Sequence, residues 1–515
     1  MSAFRVVFAL ILAISLVGCG RGKVSMTASQ AANPSGVTPD EILVSATIQL
    51  RPDNFGINST TDKPVSLLNS WRTKRNEQSG AEDKPTPPKA PEGWISEAEK
   101  EQLQQVRFES VDAEHVRDAM LFHTIAGFIS DRAKDESLRV NSVIEFVCRN
   151  VAFWKDDETA LPTNSFMTLQ FGRGRVEDRA SICADILRQL RIDTLVLRIK
   201  SDSKEATDKW LLGAIVDKKI RLYDLLLGAP VFGGSAEESA PAVTLDELLK
   251  HPEFLEQMST SEPYRLTIDD LKEAVPYVVS TPYFWAYRMY SLEQALPAKD
   301  ACVLYDPLLG EDDKPGVVQR VAAAGGWPVD AVKLFGLPAR NRELSKQPNE
   351  SIMRQFQRIV APFQVPVSFK PEADGKFTIG ASENKMLRYR MDQLLGKFTE
   401  ATQRYLSIRH LEVEANPPEL IPLIRLASED AFFWTCLCKV ELEDYQAATD
   451  MLLSYLKKYD RSGKWYFAAR VQVAQCYAKQ GKIGEAIKTL ERMSSDDPFQ
   501  PANALQVKRW TAKAK

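Results

Sequence analysis

The sequence has few of the residues that metal and redox sites need. Its 515 residues include only four histidines and seven cysteines, and no Cys-x-x-Cys pair occurs. A structural zinc site takes four such ligands at close spacing, so neither a metal nor another cofactor is predicted. Apart from Cys19, the cysteines lie in apolar segments and are typical of small buried side chains rather than of a disulfide framework: Cys148, Cys183, Cys302, Cys436, Cys438 and Cys476.

The sequence also lacks an excess of one charge and a phosphate-binding loop. It has 66 Lys and Arg against 69 Asp and Glu, so no nucleic-acid partner is predicted. The stretch "GRGRVED" precedes a predicted helix, but no strand comes directly before it and no Gly-Lys-Ser/Thr follows. Its neighbouring arginines, Arg173, Arg175 and Arg179, could bind an anion at the helix start. A solvated or fold-stabilising role is the favoured interpretation.

A short apolar run opens the chain. Val6 to Val17 follows Arg5 and is too short to span a bilayer, but it is typical of a secretory signal peptide. The tetrapeptide Leu16-Val17-Gly18-Cys19 resembles the bacterial lipobox, which implies cleavage before Cys19 and diacylglyceryl attachment to its sulfur. Residues 1–18 are therefore predicted to be a signal peptide, and lipidated Cys19 is predicted to hold the protein on the periplasmic face of a bacterial membrane. The alternative is an ordinary signal peptide with an incidental cysteine.

Residues 19–93 are rich in Ser, Thr, Pro, Asn and charge, and we expect a flexible stalk that is ordered in part around "DEILVSATIQL". Helices are predicted after Ser96, which has a capping-box partner in Glu99, and from residue 112 to 151, where apolar residues recur at helical spacing. His115 and His123 lie eight residues apart there and are interpreted as packed or solvated rather than as a ligand pair.

A further helix is predicted to begin near Val176 and to end near Arg191. The strand-like segments "DTLVLRI", "WLLGAIV" and "IRLYDLL" follow it, and Asp217-Lys218-Lys219 reads as the turn of a hairpin. One helix is thus followed by three short strands.

This stretch resembles the bacterial transglutaminase-like domains of the papain-like cysteine protease superfamily. Their pattern is Gly-x-Cys-x-Asp-x-Ala at a helix start, His-x-Trp on a strand and Asp at the end of the next strand. Gly174, Asp178 and Ala180 match the first motif, and the helix closes with Leu190-Arg191-Ile192. The resemblance covers about residues 112–230 and implies a domain, residues 94–232, in which a helix packs on an antiparallel sheet.

Two of the three catalytic positions that the resemblance implies are substituted. Val176 stands in place of the cysteine and Asp208 in place of the histidine, whereas Asp224 matches the aspartate. Valine cannot attack an acyl carbon, and an aspartate cannot act as an imidazole does near neutral pH. The domain is therefore predicted to be a pseudoenzyme.

The alternative is a cysteine acyltransferase or peptidase that uses Cys183, which also reads Cys-x-Asp. Cys183 lies seven residues beyond Val176, about 10 Å along the helix, where the dipole no longer favours a thiolate. No histidine occurs between Cys183 and His251, and His251 ends a short predicted helix. A buried structural role for Cys183 is the favoured interpretation.

Residues 233–380 are predicted to be a mixed α/β region to which no function is assigned. Thr244 with Glu247 and Thr267 with Asp270 are expected to cap short helices. The aromatic run "TPYFWAYRMYSLEQAL" is interpreted as core packing, although a binding stripe is the alternative. Strands are expected at "ACVLYD" and as a pair within "QVPVSFKPEADGKFTIG".

Residues 381–515 are predicted to be helical and repetitive. Ala448 aligns with Ala486 and Leu452 with Leu490, 38 residues apart. The second unit resembles a tetratricopeptide repeat, whose usual period is 34 residues, with Ala474, Tyr477, Gly481 and Pro498 at the family's small, aromatic, turn and terminating positions. In the looser first unit Cys436 takes the small-residue position. The resemblance implies two repeats and a final helix that form a concave surface for a protein partner.

The sequence therefore predicts a multidomain α+β protein. The expected function is that of a membrane-anchored lipoprotein of the cell envelope that binds or scaffolds without catalysis, and the alternatives are the Cys183 enzyme and a purely structural spacer. The binding hypothesis predicts that deletion of residues 429–515 abolishes capture of the partner while the rest stays folded.

Overall fold

A computed structural model describes residues 37–54, 60–80, 85, 88–154, 161, 163–199, 209–233, 242–258, 267–311, 313–335, 349–364, 368–371, 377–380, 385–410, 421–491, 494 and 496–514. The predicted mixed α+β fold is confirmed: helices predominate, one sheet of six strands is present, and the C-terminal region is helical. The predicted signal peptide and Cys19 lie outside the described residues.

The described helices are α1 (Pro39–Leu50), α2 (Asp62–Ser79), α3 (Glu97–Gln104), α4 (Ser110–Ser130), α5 (Glu136–Asn150), α6 (Ser165–Phe171), α7 (Val176–Gln189), α8 (Leu245–Lys250), α9 (Glu253–Met258), α10 (Ile268–Lys272), α11 (Tyr287–Glu293), α12 (Val317–Gly325), α13 (Asn349–Val360), α14 (Lys385–Leu394), α15 (Phe398–His410), α16 (Ile421–Glu441), α17 (Tyr445–Tyr459), α18 (Tyr466–Lys479), α19 (Ile483–Glu491) and α20 (Gln500–Ala514). The described strands are β1 (Ala152–Phe153), β2 (Arg173–Gly174), β3 (Thr194–Ile199), β4 (Lys209–Val216), β5 (Lys219–Asp224), β6 (Ala229–Pro230), β7 (Val275–Val278), β8 (Lys333–Leu334), β9 (Ser368–Pro371) and β10 (Phe377–Gly380).

The six-stranded sheet has the order β6-β5-β4-β3-β7-β8. Strands β3 to β6 form an antiparallel meander, and the predicted hairpin is present between β4 and β5. Its turn residues Asp217 and Lys218 both have positive φ, 52° and 61°, as the tight two-residue turn that matches strand twist requires. Strand β7 pairs with β3 and β8 pairs with β7. The sheet therefore continues beyond residue 232, where the sequence analysis ends the domain.

The segment expected to be a flexible stalk is ordered as α1 around "DEILVSATIQL", where order was expected, and also as α2, where it was not. Thr38 and Glu41 form a capping box at the start of α1, and each helix buries one set of apolar side chains. Leu50 and Leu68 are inaccessible to solvent, and Trp71 packs against Phe108 with ring centroids 6.2 Å apart. These two helices belong to the same apolar core as one set of side chains from strands β3, β4 and β5 of the sheet.

The middle region contains most of its predicted elements. Capping boxes start α8 and α10, the strands β9 and β10 pair antiparallel, and Phe284 and Trp285 are buried in the core. The expected strand at "ACVLYD" is wrong, because residues 301–306 form no strand, although Cys302 to Leu304 and Asp306 are buried. Side chains take the place of a neighbouring strand there: Gln189 bonds both the N–H and the C=O of Val303.

The C-terminal helices α16 to α20 pack in succession, each on the next. Ala448, Leu452, Ala486 and Leu490 are all buried, as their alignment predicts. These helices do not form a separate arm, because one apolar core joins residues of α16 and α18 to residues near β1 and α6. None of the described helices has the length and apolar character that crossing a membrane requires.

Candidate functional site

The start of α7 is shaped by the residues that match the catalytic motif. Val176 is the first helical residue, and the Asp178 carboxylate accepts a hydrogen bond from the Arg175 backbone N–H at 2.8 Å. A Cβ at Gly174 would lie 2.8 Å from Thr168 and 3.0 Å from the Asp178 Cβ, so only glycine fits there. Gly174 and Asp178 thus hold the helix start in place whether or not a nucleophile is present.

The Val176 side chain is half-buried and packs at the border of two apolar cores. It has no ionisable group on which the helix dipole and free backbone N–H groups could act. This position therefore provides packing and no nucleophile.

The Arg179 side chain stabilises the fold by hydrogen bonding to backbone carbonyls. Its guanidinium donates to the backbone carbonyls of Val151, Leu225 and Cys148 at 2.7, 2.8 and 3.2 Å, and it lies 3.8 Å from the centre of the Phe153 ring. Burial lowers its pKa. With its donors used by carbonyls, Arg179 holds together the chain segments around α7 and leaves no support for the anion-binding interpretation.

Arg173 is likewise buried, with 1% of its surface exposed. It donates to the Phe153 carbonyl at 3.1 Å, and its guanidinium lies 4.9 Å from the Trp154 ring and 5.8 Å from the Trp465 ring. Arg175, the third arginine of the set, is exposed. The fold-stabilising interpretation therefore fits Arg173 and Arg179.

Asp224 lies at the end of β5 and is 3% exposed. Its Oδ1 accepts hydrogen bonds from the backbone N–H groups of Leu226 and Leu227, both at 2.9 Å. This carboxylate therefore closes the turn that leads to β6. Asp208, at the position of the family's histidine, lies outside the described residues.

Cys183 is inaccessible to solvent in the middle of α7. Burial raises the pKa of its thiol well above the usual value, so the reactive thiolate is disfavoured. His251, the nearest histidine after it in the chain, is exposed and contacts the Glu253 carboxylate at 3.0 Å. Glu253 is an acidic partner that the sequence analysis overlooked, but the pair sits on the surface.

Three other buried thiols have raised pKa values, as Cys183 does. Burial raises the pKa of Cys302 and Cys438 to about 12 and that of Cys476 to about 11. Within the described part of the chain, no group of three or more His, Cys, Asp and Glu side chains is placed to hold a metal ion.

The C-terminal region covers the neighbourhood of the α7 start. Gly172 has φ 71°, and a Cβ there would lie 3.1 Å from the Trp465 ring. Arg390 of α14 is fully buried and donates to the carbonyls of Leu169 at 2.9 Å and of Gln170 and Asn150 at 3.3 Å. Arg390 and Trp465 thus cover the segment that leads into α7, and we call these two side chains the roof.

An ion-pair cluster is a second link between the C-terminal helices and the earlier part of the chain. The Glu441 carboxylate at the end of α16 forms ion pairs with Arg149 of α5 at 2.7 Å and with Arg132 at 3.2 Å. The Glu441 side chain is 5% exposed. Its negative charge raises the pKa of Arg149 against the opposing effect of burial.

Beside this cluster lies a cleft of about 600 Å³, which is within the range of ligand-binding sites. One wall is formed by α5 and residues 226–232, and the other by the end of α16 with α18 and α20. The side chains of Asn141, Tyr223 and Gln472 line it, and each has a buried oxygen with no hydrogen-bond partner among the described residues.

This cleft was not predicted from the sequence. Gln472, Gln475 and Lys479 line it at helical spacing on one face of α18, and that polar stripe was the available signal. Its counterpart Asn141 lies more than three hundred residues earlier in the chain, so no local pattern connects the two walls.

The chain was compared with protein-family models, with curated proteins and with solved structures. No family model, no curated protein and no solved structure matches it.

Proposed function

We propose that the chain is a membrane-anchored lipoprotein of the cell envelope that binds a protein partner without catalysing a reaction. In this proposal Cys19 carries the lipid, a degenerate transglutaminase-like domain serves as a scaffold, and tetratricopeptide-like helices supply a binding surface. The observation that supports binding is the cleft of about 600 Å³ between α5 and the C-terminal helices, whose lining includes exposed polar side chains such as Gln475 and Lys479.

The alternative, an enzyme that uses Cys183, receives no support from the geometry. A nucleophile must reach its substrate and must form thiolate, and Cys183 is buried with a raised pKa. The covered α7 start and half-buried Val176 support the same conclusion for the position where the family has its cysteine.

Deletion of residues 429–515 is not a clean test of this proposal, contrary to the expectation from sequence. The deletion would remove Trp465 from above Gly172 and Phe499 from Phe153, whose ring centroids are 5.1 Å apart. It would therefore uncover the core of the remaining chain and destabilise it.

A single photo-cross-linking side chain tests the proposal in the intact protein. We would place it at Gln475, which is exposed in the cleft, and at Gln446, which is exposed on α17 and does not line the cleft. The full chain with its N-terminus would be irradiated in the bacterium that makes it, and adducts would be read by mass. We expect one discrete protein adduct from Gln475 and none from Gln446. Equal adducts from both positions, or none from Gln475, would contradict the proposal.

A further inference from the structure

We propose that the side chains of Lys464 and Asp430 become joined by an amide bond, with release of one water molecule. Asp430 lies on α16 and Lys464 lies in the turn before α18, so the bond joins two elements of the C-terminal region. It is a covalent modification of the chain itself and does not depend on the proposed binding function.

The two reacting groups are in direct contact in the core. The Lys464 Nζ lies 2.9 Å from Oδ1 and 3.0 Å from Oδ2 of Asp430. The carboxyl carbon lies between these two oxygens, so Nζ is about 3.3 Å or less from it, a separation from which attack occurs. The Lys464 side chain is 5% exposed and that of Asp430 is inaccessible to solvent. The amine therefore needs no large movement to reach the carbon.

The surroundings of the pair favour uncharged reactants. The Trp465 ring lies 4.8 Å from Nζ, and the Phe433 ring stacks on Trp465 with centroids 4.8 Å apart. Burial lowers the pKa of Lys464, despite the opposing effect of the Asp430 charge. In a site closed to water, one proton can pass from the ammonium to the carboxylate, which leaves an amine beside a carboxylic acid.

The reaction needs no oxidant and no further reactant. The amine lone pair forms the bond from Nζ to the carboxyl carbon of Asp430, and the bond from that carbon to Oδ2 breaks. Oδ2 leaves as water with the proton received from the ammonium and one proton of the amine. Oδ1 accepts a hydrogen bond from the Trp465 indole N–H at 2.7 Å. This donor stabilises the negative charge that develops on Oδ1 and then holds the new carbonyl oxygen.

The backbone holds both groups in place. Asp430 lies in the middle of the helix α16. The Lys464 backbone N–H donates to the Glu429 carboxylate at 2.6 Å, and the Trp465 backbone N–H donates to the Tyr455 hydroxyl oxygen at 3.0 Å. Well-oriented groups of this kind react as if they were present at about 10⁵–10⁸ M. The fold therefore supplies the proximity that an amine and a carboxylic acid lack in solution.

Other lysines with acidic partners lack these conditions. The Lys439 side chain, which pairs with Asp444, is 29% exposed, and the Lys397 side chain, which pairs with Asp392, is 47% exposed. Water keeps such ammonium groups charged, and a charged amine has no lone pair with which to attack. Among these three lysines, the proposal therefore applies to Lys464 alone.

The amide bond restrains the chain as a disulfide would. It closes a loop from residue 430 to residue 464 that contains the whole of α17, and such a closure restricts the unfolded chain. The cysteines in the described part of the chain are free, so no disulfide among them supplies this restraint. The bond also fixes the position of Trp465, which follows Lys464 directly.

Peptide mapping of the full-length protein tests the proposal. The folded protein is digested, and its peptides are identified by tandem mass spectrometry. We expect a branched peptide in which Lys464 is joined to Asp430, with a mass lower by one water molecule than the sum of the two linear peptides. After denaturation, an amine-directed reagent should label the exposed Lys488 but should not label Lys464.

Two matched variants accompany this measurement. Lys464→Arg keeps the positive charge but removes the amine nucleophile, and it should lose the branched peptide entirely. Lys488→Arg is the control and should retain the branched peptide, because Lys488 is 68% exposed in its pair with Glu485. Recovery of only linear peptides with unmodified Lys464 and Asp430 from the unaltered protein would overturn the proposal, whether or not the variants fold. Labelling of Lys464 in the denatured chain to the same extent as Lys488 would also overturn it.

Discussion

Acidification will destabilise the protein through His115, by about 2 kcal/mol between pH 7.5 and pH 5. His115 lies on α4 and is 7% exposed, and its Nε2 donates to the Leu304 carbonyl at 3.0 Å. Its ring packs edge-on against Phe284, with centroids 4.5 Å apart. Burial, reinforced by the guanidiniums of Arg188 and Arg288, lowers the pKa of His115 to about 4.

The sign of the effect follows from the two protonation states. An unfolded histidine has a pKa of about 6.5, so below that pH the unfolded chain binds a proton that the folded protein rejects. Each pH unit in this window costs about 1.4 kcal/mol, and stability falls as the pH drops from about 6.5 to about 4. At pH 5 the loss is about 2 kcal/mol, and below pH 4 it levels off near 3 kcal/mol.

The measurement is the free energy of opening of α4, followed by amide hydrogen exchange at both pH values, because a chain of this length can unfold in stages. His115→Gln retains an N–H donor for the Leu304 carbonyl but cannot titrate. The difference in the free energy of opening between the unaltered protein and this variant should change by about 2 kcal/mol from pH 7.5 to pH 5. Titration of nearby carboxyl groups such as Asp112 affects both proteins alike, so its contribution cancels in this difference. His251→Gln, at an exposed position, is the control. A difference that is the same at both pH values would refute the reasoning.

Three further predictions concern the proposed lipid anchor, the buried thiol and the roof over α7. Cys19→Ser should abolish incorporation of labelled palmitate and release the chain from the membrane fraction, whereas retained labelling would contradict the lipid anchor. Cys183 in the native protein should react with a thiol-directed electrophile at least roughly tenfold more slowly than in the unfolded chain, as read by peptide mapping, and equal rates would show that it is accessible. Arg390→Met should lower the free energy of urea unfolding by about 3 kcal/mol, since three buried carbonyls lose a donor. Arg388→Met, at an exposed position on the same helix, should have a clearly smaller effect, and equal effects would contradict the role of Arg390 in the roof.

Features fixed by neighbouring residues could be predicted from the sequence. The capping boxes at Ser96, Thr244 and Thr267 need only a partner three residues away, and all three are present. The turn at Asp217 likewise depends on the two strands beside it. Local chemistry determines these features, so a local pattern is sufficient to locate them.

Features that depend on distant burial could not be predicted in this way. The segment 37–80 has the composition of a linker, yet Leu68 and Trp71 find their partners in a core built from much later residues. The segment 301–306 has the composition of a strand, but Gln189 and Glu293 bond its backbone instead. Average composition carries no information about which distant side chain will meet a backbone group.

The candidate site shows the same division. The motif led to Val176, Cys183 and Asp224, because each has a fixed position relative to a helix or a strand. The cleft depends on Asn141, Tyr223 and Gln472 coming together from three distant segments. Its polar stripe on α18 is visible in the sequence, but whether it faces solvent, a core or an opposing wall is decided by tertiary packing.

The roof over α7 bears both on the proposed absence of catalysis and on the proposed binding. In an active member of the resembled family, the helix start has to admit an acyl substrate to the cysteine. Here Trp465 lies over Gly172 and is held by two buried hydrogen bonds. Its indole N–H donates to the Asp430 carboxylate at 2.7 Å, and its backbone N–H donates to the Tyr455 hydroxyl oxygen at 3.0 Å. A thiol introduced by Val176→Cys would therefore lie next to a closed roof. The same packing brings α18 opposite α5, so the contacts that cover the start of α7 also build the cleft.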